Sequence, residues 1–212
     1  EAVEKAVKRE MTPDIHAGLI MSIDVARFGD DRSVIAFRAG RDARSLKALK
    51  YKGLDTVQLV ARIAEQAVKW NPDAIVIDGG GVGGGVVDQV RALRYKVHEF
   101  DGGARAQDDA RFANRRAEVW SEMKEWLEQG AMPDDPELID DILGPEYDYH
   151  PTSQKLKLES KERMKDRGLA SPDCGDALAM TFAVRVARKD ARAGRGQRQP
   201  RIAPGVDYAV LG

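Results

Sequence analysis

Gly18-Leu19-Ile20-Met21-Ser22-Ile23-Asp24 is a short, mostly apolar run that ends on a carboxylate. A run of this length with little alternation forms a strand buried on both faces of a sheet, although periodicity alone does not exclude a piece of buried helix. The turn-rich stretch Ala26-Arg27-Phe28-Gly29-Asp30-Asp31 and a second apolar run at 33–37 follow it. Together they predict a strand, a turn and a returning strand. An acid at the end of a buried strand is costly unless a metal ion, a basic partner or exposure at the sheet edge compensates it. The plain alternative for Asp24 is a loop aspartate that happens to follow a strand.

Working outward, residues 1–13 are charged and helix-permissive, and 1–17 read as a linker or leading helix. Residues 45–52 predict a third strand, which completes an antiparallel meander. Asp55 or Thr56 caps a helix running to about Trp70, with Val57, Val60, Ala64, Ala67 and Val68 as its apolar face. Pro72 ends it. Ala74-Ile75-Val76-Ile77-Asp78 is another short buried strand that ends on an aspartate. A glycine run at 79–85, a helix at 86–93 and a strand at 95–100 come next. A long helix is expected over 109–129, with Val119, Trp120, Met123 and Leu127 on its buried side. A short helix at 138–143, a hairpin from 147–150 and 155–158, and a charged helical turn or two at 161–167 complete the middle. Ser171-Pro172-Asp173 reads as cap, first helical position and first-turn acid of a buried last helix reaching about 187. From 190 to 212 the composition of Arg, Gly, Gln and Pro predicts a flexible, mildly basic tail.

The 212 residues suffice for one large domain or two small ones. Charged residues are a third of the chain but cancel to a net charge of −1, so any basic surface must be local. The single cysteine, Cys174, excludes an internal disulfide and fits a reducing compartment. No run of membrane-spanning length and no signal peptide is present. The chain starts at Glu1, as a piece of a longer protein would.

Strands alternating with helices predict an α/β domain, and such sheets bind ligands beyond the carboxyl ends of their strands. Asp24 and Asp78 both occupy that position and lie side by side if their strands are neighbours. Asp173 and Asp176, three apart in a helical first turn, share one face. Converging carboxylates repel each other, and a hard divalent cation such as Mg²⁺ or Mn²⁺ compensates them. Two such ions about 4 Å apart serve phosphodiester cleavage. There is no Cys or His cluster for zinc; His16, His98 and His150 are scattered and read as structural. Cys174 reads as a small buried residue. The glycine run lacks the Lys-Ser or Lys-Thr of a Walker loop. Gly79-x-Gly81-x-x-Gly84 fits the dinucleotide pattern, with Glu99 or Asp101 as the ribose acid. A third possibility is that the glycines let backbone pass close to a metal site or a nucleic-acid strand.

Five motifs in order carry a family resemblance. They are Ile23-Asp24-Val25-Ala26-Arg27-Phe28-Gly29-Asp30-Asp31; Ile77-Asp78-Gly79 with Gly81-Val82-Gly83; Asn114-Arg115-Arg116-Ala117-Glu118 with Trp120; Leu158-Glu159-Ser160-Lys161-Glu162; and Ser171-Pro172-Asp173 with Asp176-Ala177-Leu178. Over about residues 18–188 the chain resembles the C-terminal nuclease domain of the large terminase subunits of tailed phages. The resemblance implies a ribonuclease H-like fold, with a mixed central sheet (antiparallel meander plus parallel strands) flanked by helices, over 18–189. It implies a metal-dependent endonuclease that cuts concatemeric double-stranded viral DNA; the acid cluster calls for two Mg²⁺ or Mn²⁺ ions, and since little suggests base-edge readout, non-specific DNA binding is expected. Asp24, Asp78 and Asp173 match the three metal-binding acids. Asp30 matches a loop acid that approaches the metals, and Asp176 either ligates or orients its neighbours. Asn114, Arg115, Arg116 and Lys161 are the candidate DNA contacts, with a solvated helix face as the alternative. The resemblance further implies a portal protein and a small terminase subunit as partners, an N-terminal ATPase domain in the full-length protein, and action in the host cytoplasm. No Walker motif precedes residue 18.

Two other function classes compete. One is a nucleotide- or dinucleotide-binding module built on the glycine run. The other is a portal-docking assembly module without catalysis. Among nucleases, Holliday-junction resolvases share the implied fold and acidic site; the 146–158 region and the Ser-Pro-Asp motif favour terminase.

Overall fold

The computed structural model describes residues 1–26 and 32–187. Asp30 and the tail at 190–212 therefore lie outside the described residues. A five-stranded sheet is built from β1 (Leu19–Asp24), β2 (Arg32–Ala39), β3 (Leu49–Lys52), β4 (Ala74–Asp78) and β5 (Val97–Phe100), in the order β3-β2-β1-β4-β5. The meander of the first three is antiparallel, whereas β1, β4 and β5 run parallel. The opening run is thus the central strand, buried along almost its whole length.

Side chains alternate across a strand, and here the alternation sorts two cores. Met21, Ile23, Ile35, Phe37, Ile75 and Ile77 face one layer, covered by α2 (Thr56–Trp70) and α3 (Gly83–Ala92). Ile20, Val34, Ala36, Ala74 and Val76 face the other. That second layer holds α1 (Ala2–Lys8), α4 (Arg115–Leu127), α5 (Pro136–Leu143) and α7 (Asp173–Met180). A two-stranded sheet of β6 (Tyr147–Tyr149) and β7 (Leu156–Leu158) and the short α6 (Lys161–Asp166) sit beside it. The leading helix α1 buries Val3 and Ala6 in this layer and packs on α4.

Several elements differ from expectation. Asp55 caps α2 by accepting the Gln58 N–H at 2.7 Å, as expected, but Val57 and Val68 are 66% and 68% exposed. Val60 and Ala67 are buried as expected, and Leu59 and Ile63 take the places of Val57 and Val68, because the stripe with the bulkier side chains meets the sheet. Helix α4 starts at Arg115, not near 109. Leu156 exchanges backbone hydrogen bonds with Arg111 and Ala113, which holds that segment extended against β7. Val119, Trp120, Met123 and Leu127 are buried as expected. The last helix begins with Pro172 at the cap position, not Ser171, and it stops at Met180 rather than near 187. Arg38 closes it by donating to the Thr181 carbonyl and hydroxyl, both at 2.8 Å.

Candidate active site

The strand register decides where the first two acids go. β1 and β4 pair in parallel from Ile20–Ala74 to Ile23–Ile77, so Asp24 and Asp78 follow one residue later at adjacent carboxyl ends. Each is an even number of residues from Ile20 or Ala74, so each belongs to the face covered by α7. Ser22 confirms the face, since its hydroxyl donates to the Ala177 carbonyl on α7 at 2.6 Å. Helix α7 then brings Asp173 and Asp176, both 7% exposed, over the same end of the sheet. Gly83 opens α3 under this edge, and a Cβ there would stand 1.9 Å from the Asp78 carbonyl oxygen. A side chain at 83 is therefore incompatible with this strand-to-helix turn.

The cations come from the other layer elements. Lys161, at the start of α6, places its Nζ 3.0 Å from Asp176 Oδ2 and 4.0 Å from Asp173 Oδ1. Arg116 on α4 donates through Nε to Asp176 Oδ1 at 2.9 Å and through Nη1 to the Glu159 carbonyl at 2.9 Å. Trp120 Nε1 donates to the same Asp176 Oδ1 at 2.8 Å. Both Asp176 oxygens are thus engaged by protein donors. Gly80 N–H donates to Asp78 Oδ1 at 3.0 Å, and Arg32 N–H to Asp173 Oδ2 at 3.5 Å.

Four carboxylates face two cations, and their protonation shows the imbalance. Burial pushes the Asp24 carboxyl well above its ordinary value; Lys161 opposes this, and Asp176, Asp173 and Asp78 push it further. Asp78 is raised by burial and by Asp176 and Asp101, against the Gly80 N–H and Lys161. Asp176 goes the other way: burial raises it, but Arg116 and Lys161 together hold it below the ordinary range. Burial works against the Lys161 ammonium, yet Asp176 and Asp24 raise its pKa overall. An all-oxygen, over-negative set fits a hard divalent cation in kind. Among the described residues no three acid, His or Cys groups stand together at ion-holding distance. As placed, the acids gather around the Lys161 ammonium, and holding an ion requires them to draw together.

The other candidates fall differently. Asn114, expected at a phosphate, is the N-cap of α4 and accepts the Ala117 N–H at 2.9 Å. The Arg115 side chain is 12% exposed, pairs with Glu118 and donates to the Ala183 carbonyl at 3.1 Å. That of Arg116 is 17% exposed and turned to Asp176. All three side chains are committed to partners within the protein. Lys161 is 38% exposed and is the one candidate DNA contact that opens from the acids to the surface. Of the acids paired with the glycine run for a dinucleotide, Glu99 on β5 is held 3.2 Å from Arg91, and Asp101 after β5 accepts the Gly103 N–H. Cys174 is buried, and burial pushes its thiol up to about 12, out of reach as a nucleophile. Two residues that local pattern did not flag complete the site. Its spacing gives Trp120 a core place and the resemblance sets it beside the 114–118 motif, but neither makes it a partner of Asp176. Asp141 on α5 accepts the N–H groups of Cys174 and Gly175, and burial raises its carboxyl to about 6. Nothing in the spacing around Asp141 signals this, because its partners lie 33 and 34 residues away.

Comparison with known proteins places this arrangement. Residues 21–100 match the family described as the terminase RNaseH-like domain. The nuclease domain of the large terminase subunit of bacterial virus Sf6 superposes with a TM-score of 0.70 at 18% identity, covering 87% of this chain and 97% of that one. A mutant of that domain with manganese gives 0.73, also at 18% identity and with the same coverage. The large terminase nuclease from thermophilic phage G20c with bound magnesium gives 0.62 at 15% identity, over 86% and 94% of the two chains. No curated protein matches the chain. The chain therefore has the RNase H-like fold of the large terminase nuclease domains, as the resemblance implied.

Proposed function

We propose that this chain is a DNA-cleaving domain of a packaging terminase, a Mg²⁺- or Mn²⁺-dependent endonuclease for double-stranded DNA. The observation that carries the proposal is the register that sets Asp24 beside Asp78 on the α7 face, with Asp173 and Asp176 over the same edge. Asp24, Asp78 and Asp173 would hold the metal, two ions by analogy with two-metal hydrolysis. Bound there, divalent cations supply Lewis acidity toward the scissile phosphate and its attacking water. Asp176 is spent on Arg116, Trp120 and Lys161, so its work is to fix the Lys161 ammonium. Lys161, 38% exposed, would be the residue to contact a phosphate oxygen beside the acids.

The substrate proposal is duplex DNA without sequence preference, because phosphate contacts carry no sequence information. Concatemer cutting at the start and end of packaging, partnership with a portal protein, a small terminase subunit and an N-terminal ATPase domain, and action in the host cytoplasm complete the proposal. Among the described residues no helix is long and apolar enough to cross a membrane. The test is nicking of supercoiled plasmid under four conditions. Mn²⁺ and Mg²⁺ should support cleavage, Ca²⁺ should not, and EDTA should abolish it. Undiminished nicking in EDTA defeats the proposal.

A further inference from the structure

Helix α7 carries two of the four acids but has no cap of its own. The first N–H groups of a helix lack intrahelical partners, and a side-chain oxygen at the cap position usually takes one. Pro172 stands at that position and makes no side-chain cap. The Asp173 N–H turns to the Ser171 carbonyl at 2.9 Å, and the Asp176 N–H to the Pro172 carbonyl at 2.7 Å. The two between them, Cys174 and Gly175, both donate to a single oxygen, Oδ2 of Asp141, at 2.8 and 3.2 Å. The cap therefore comes from another helix, α5.

That helix is itself fastened. Lys50 on β3 reaches Asp135 at 2.7 Å and Glu137 at 2.6 Å, and Arg32 on β2 reaches Glu137 at 2.9 Å. The sheet edge thus holds the start of α5, and α5 holds the start of α7. Packing agrees: a Cβ at Gly175 would stand 2.8 Å from the Trp120 ring and 3.2 Å from Asp141 Cβ, so the first turn of α7 is clamped between α4 and α5.

We propose that Asp141 is a positioning residue: by capping α7 from α5 it holds the Asp173 carboxylate toward Asp24 and Asp78. The inference rests on the metal-nuclease function proposed above. Partners one shell out from metal ligands typically govern 10–100-fold in metal affinity.

The test compares Asp141→Ala, Asp141→Asn and Asp141→Glu with wild type in the full chain. Three quantities are measured: amide exchange of Cys174 and Gly175 by NMR, the Mn²⁺ concentration for half-maximal thermal shift, and plasmid nicking. Asp141→Ala should speed exchange at both amides at least tenfold and raise the Mn²⁺ midpoint about tenfold or more. Nicking should fall in step. Asp141→Asn keeps an acceptor oxygen and should stay within about threefold of wild type on all three. Asp141→Glu keeps the charge but displaces the oxygen, and should resemble Asp141→Ala; it carries the test if the alanine variant does not fold. A cap that only stabilises would lower the melting temperature and leave the Mn²⁺ midpoint and nicking unchanged. That result, or unchanged amide exchange in a folded Asp141→Ala, overturns the inference while wild type still binds and cuts. A wild type that neither binds Mn²⁺ nor cuts removes the proposed function, and the positioning role with it.

Discussion

At the residue scale, four neighbouring aspartates carry opposite energetic signs. Asp24 is buried among like charges, so its ionised form costs stability at neutral pH. Asp24→Asn should raise the melting temperature of the metal-free domain, by about 2–4 °C for each 1 kcal/mol gained in a chain of this size. Asp176 instead anchors Arg116, Trp120 and Lys161. Removing it strands a poorly exposed guanidinium, and Asp176→Ala should cost roughly 3–5 kcal/mol. Differential scanning fluorimetry without metal checks both; equal signs would mean the charge balance is misassigned. The pH dependence follows the same division. Asp141 is raised from 3.8 to about 6, so the folded state holds a proton that the unfolded chain has already lost. Its contribution therefore declines as pH rises from about 4 to about 6, and Asp24 and Asp78, also raised, act in the same direction. Asp176, lowered, contributes above the ordinary carboxylate range and loses that contribution only as pH falls below it. A thermal-melt series from pH 4 to pH 7 should show a smaller decline for Asp141→Asn than for wild type.

At the element scale, legibility followed how local each cause is. The strands ending on Asp24 and Asp78, the Asp55 cap and the glycine turn were readable because a few adjacent residues determine them. The face of α2 was not. Val57 and Val68 fit a helical stripe as well as Leu59 and Ile63 do, and only the sheet chooses between them. The start of α4 was missed because Leu156, far along the chain, claims the backbone at 111 and 113. The first turn of α7 was misjudged for a similar reason: its cap is Asp141 on α5. Asn114, Arg115 and Arg116 looked like a basic edge, yet capping and buried pairing absorb them; Asn is a cap residue by type, but its place as cap follows from the α4 start that Leu156 sets, and the buried pairs leave no local signature. Gly175 supplies a test at this scale. Alanine there meets Trp120 and Asp141, so Gly175→Ala should cost about 1–3 kcal/mol in a denaturant melt. A neutral substitution would mean that α7 is free to shift between its neighbours.

At the scale of the molecule, one sheet separates two apolar cores, and all four acids stand on the α7 side of its carboxyl edge. The scaffold on the opposite side, α2 and α3, contributes none of them; it fixes β1 and β4 so that Asp24 and Asp78 stay adjacent. With a net charge of −1, DNA affinity must come from a local patch, and binding should weaken steeply with salt and show no sequence preference. Added Mn²⁺ should raise the melting temperature, because a ligand of the native state stabilises it, and the gain should shrink in Asp24→Asn and Asp78→Asn. The most direct measurement is the Mn²⁺-dependent nicking rate of these two variants against wild type, with circular dichroism to show that each is folded. The expected result is folded variants whose nicking falls by at least about 100-fold, as loss of a metal ligand does more than loss of its outer partner. Folded variants that nick plasmid at the wild-type rate would contradict the assignment of Asp24 and Asp78 as the acids that hold the metal.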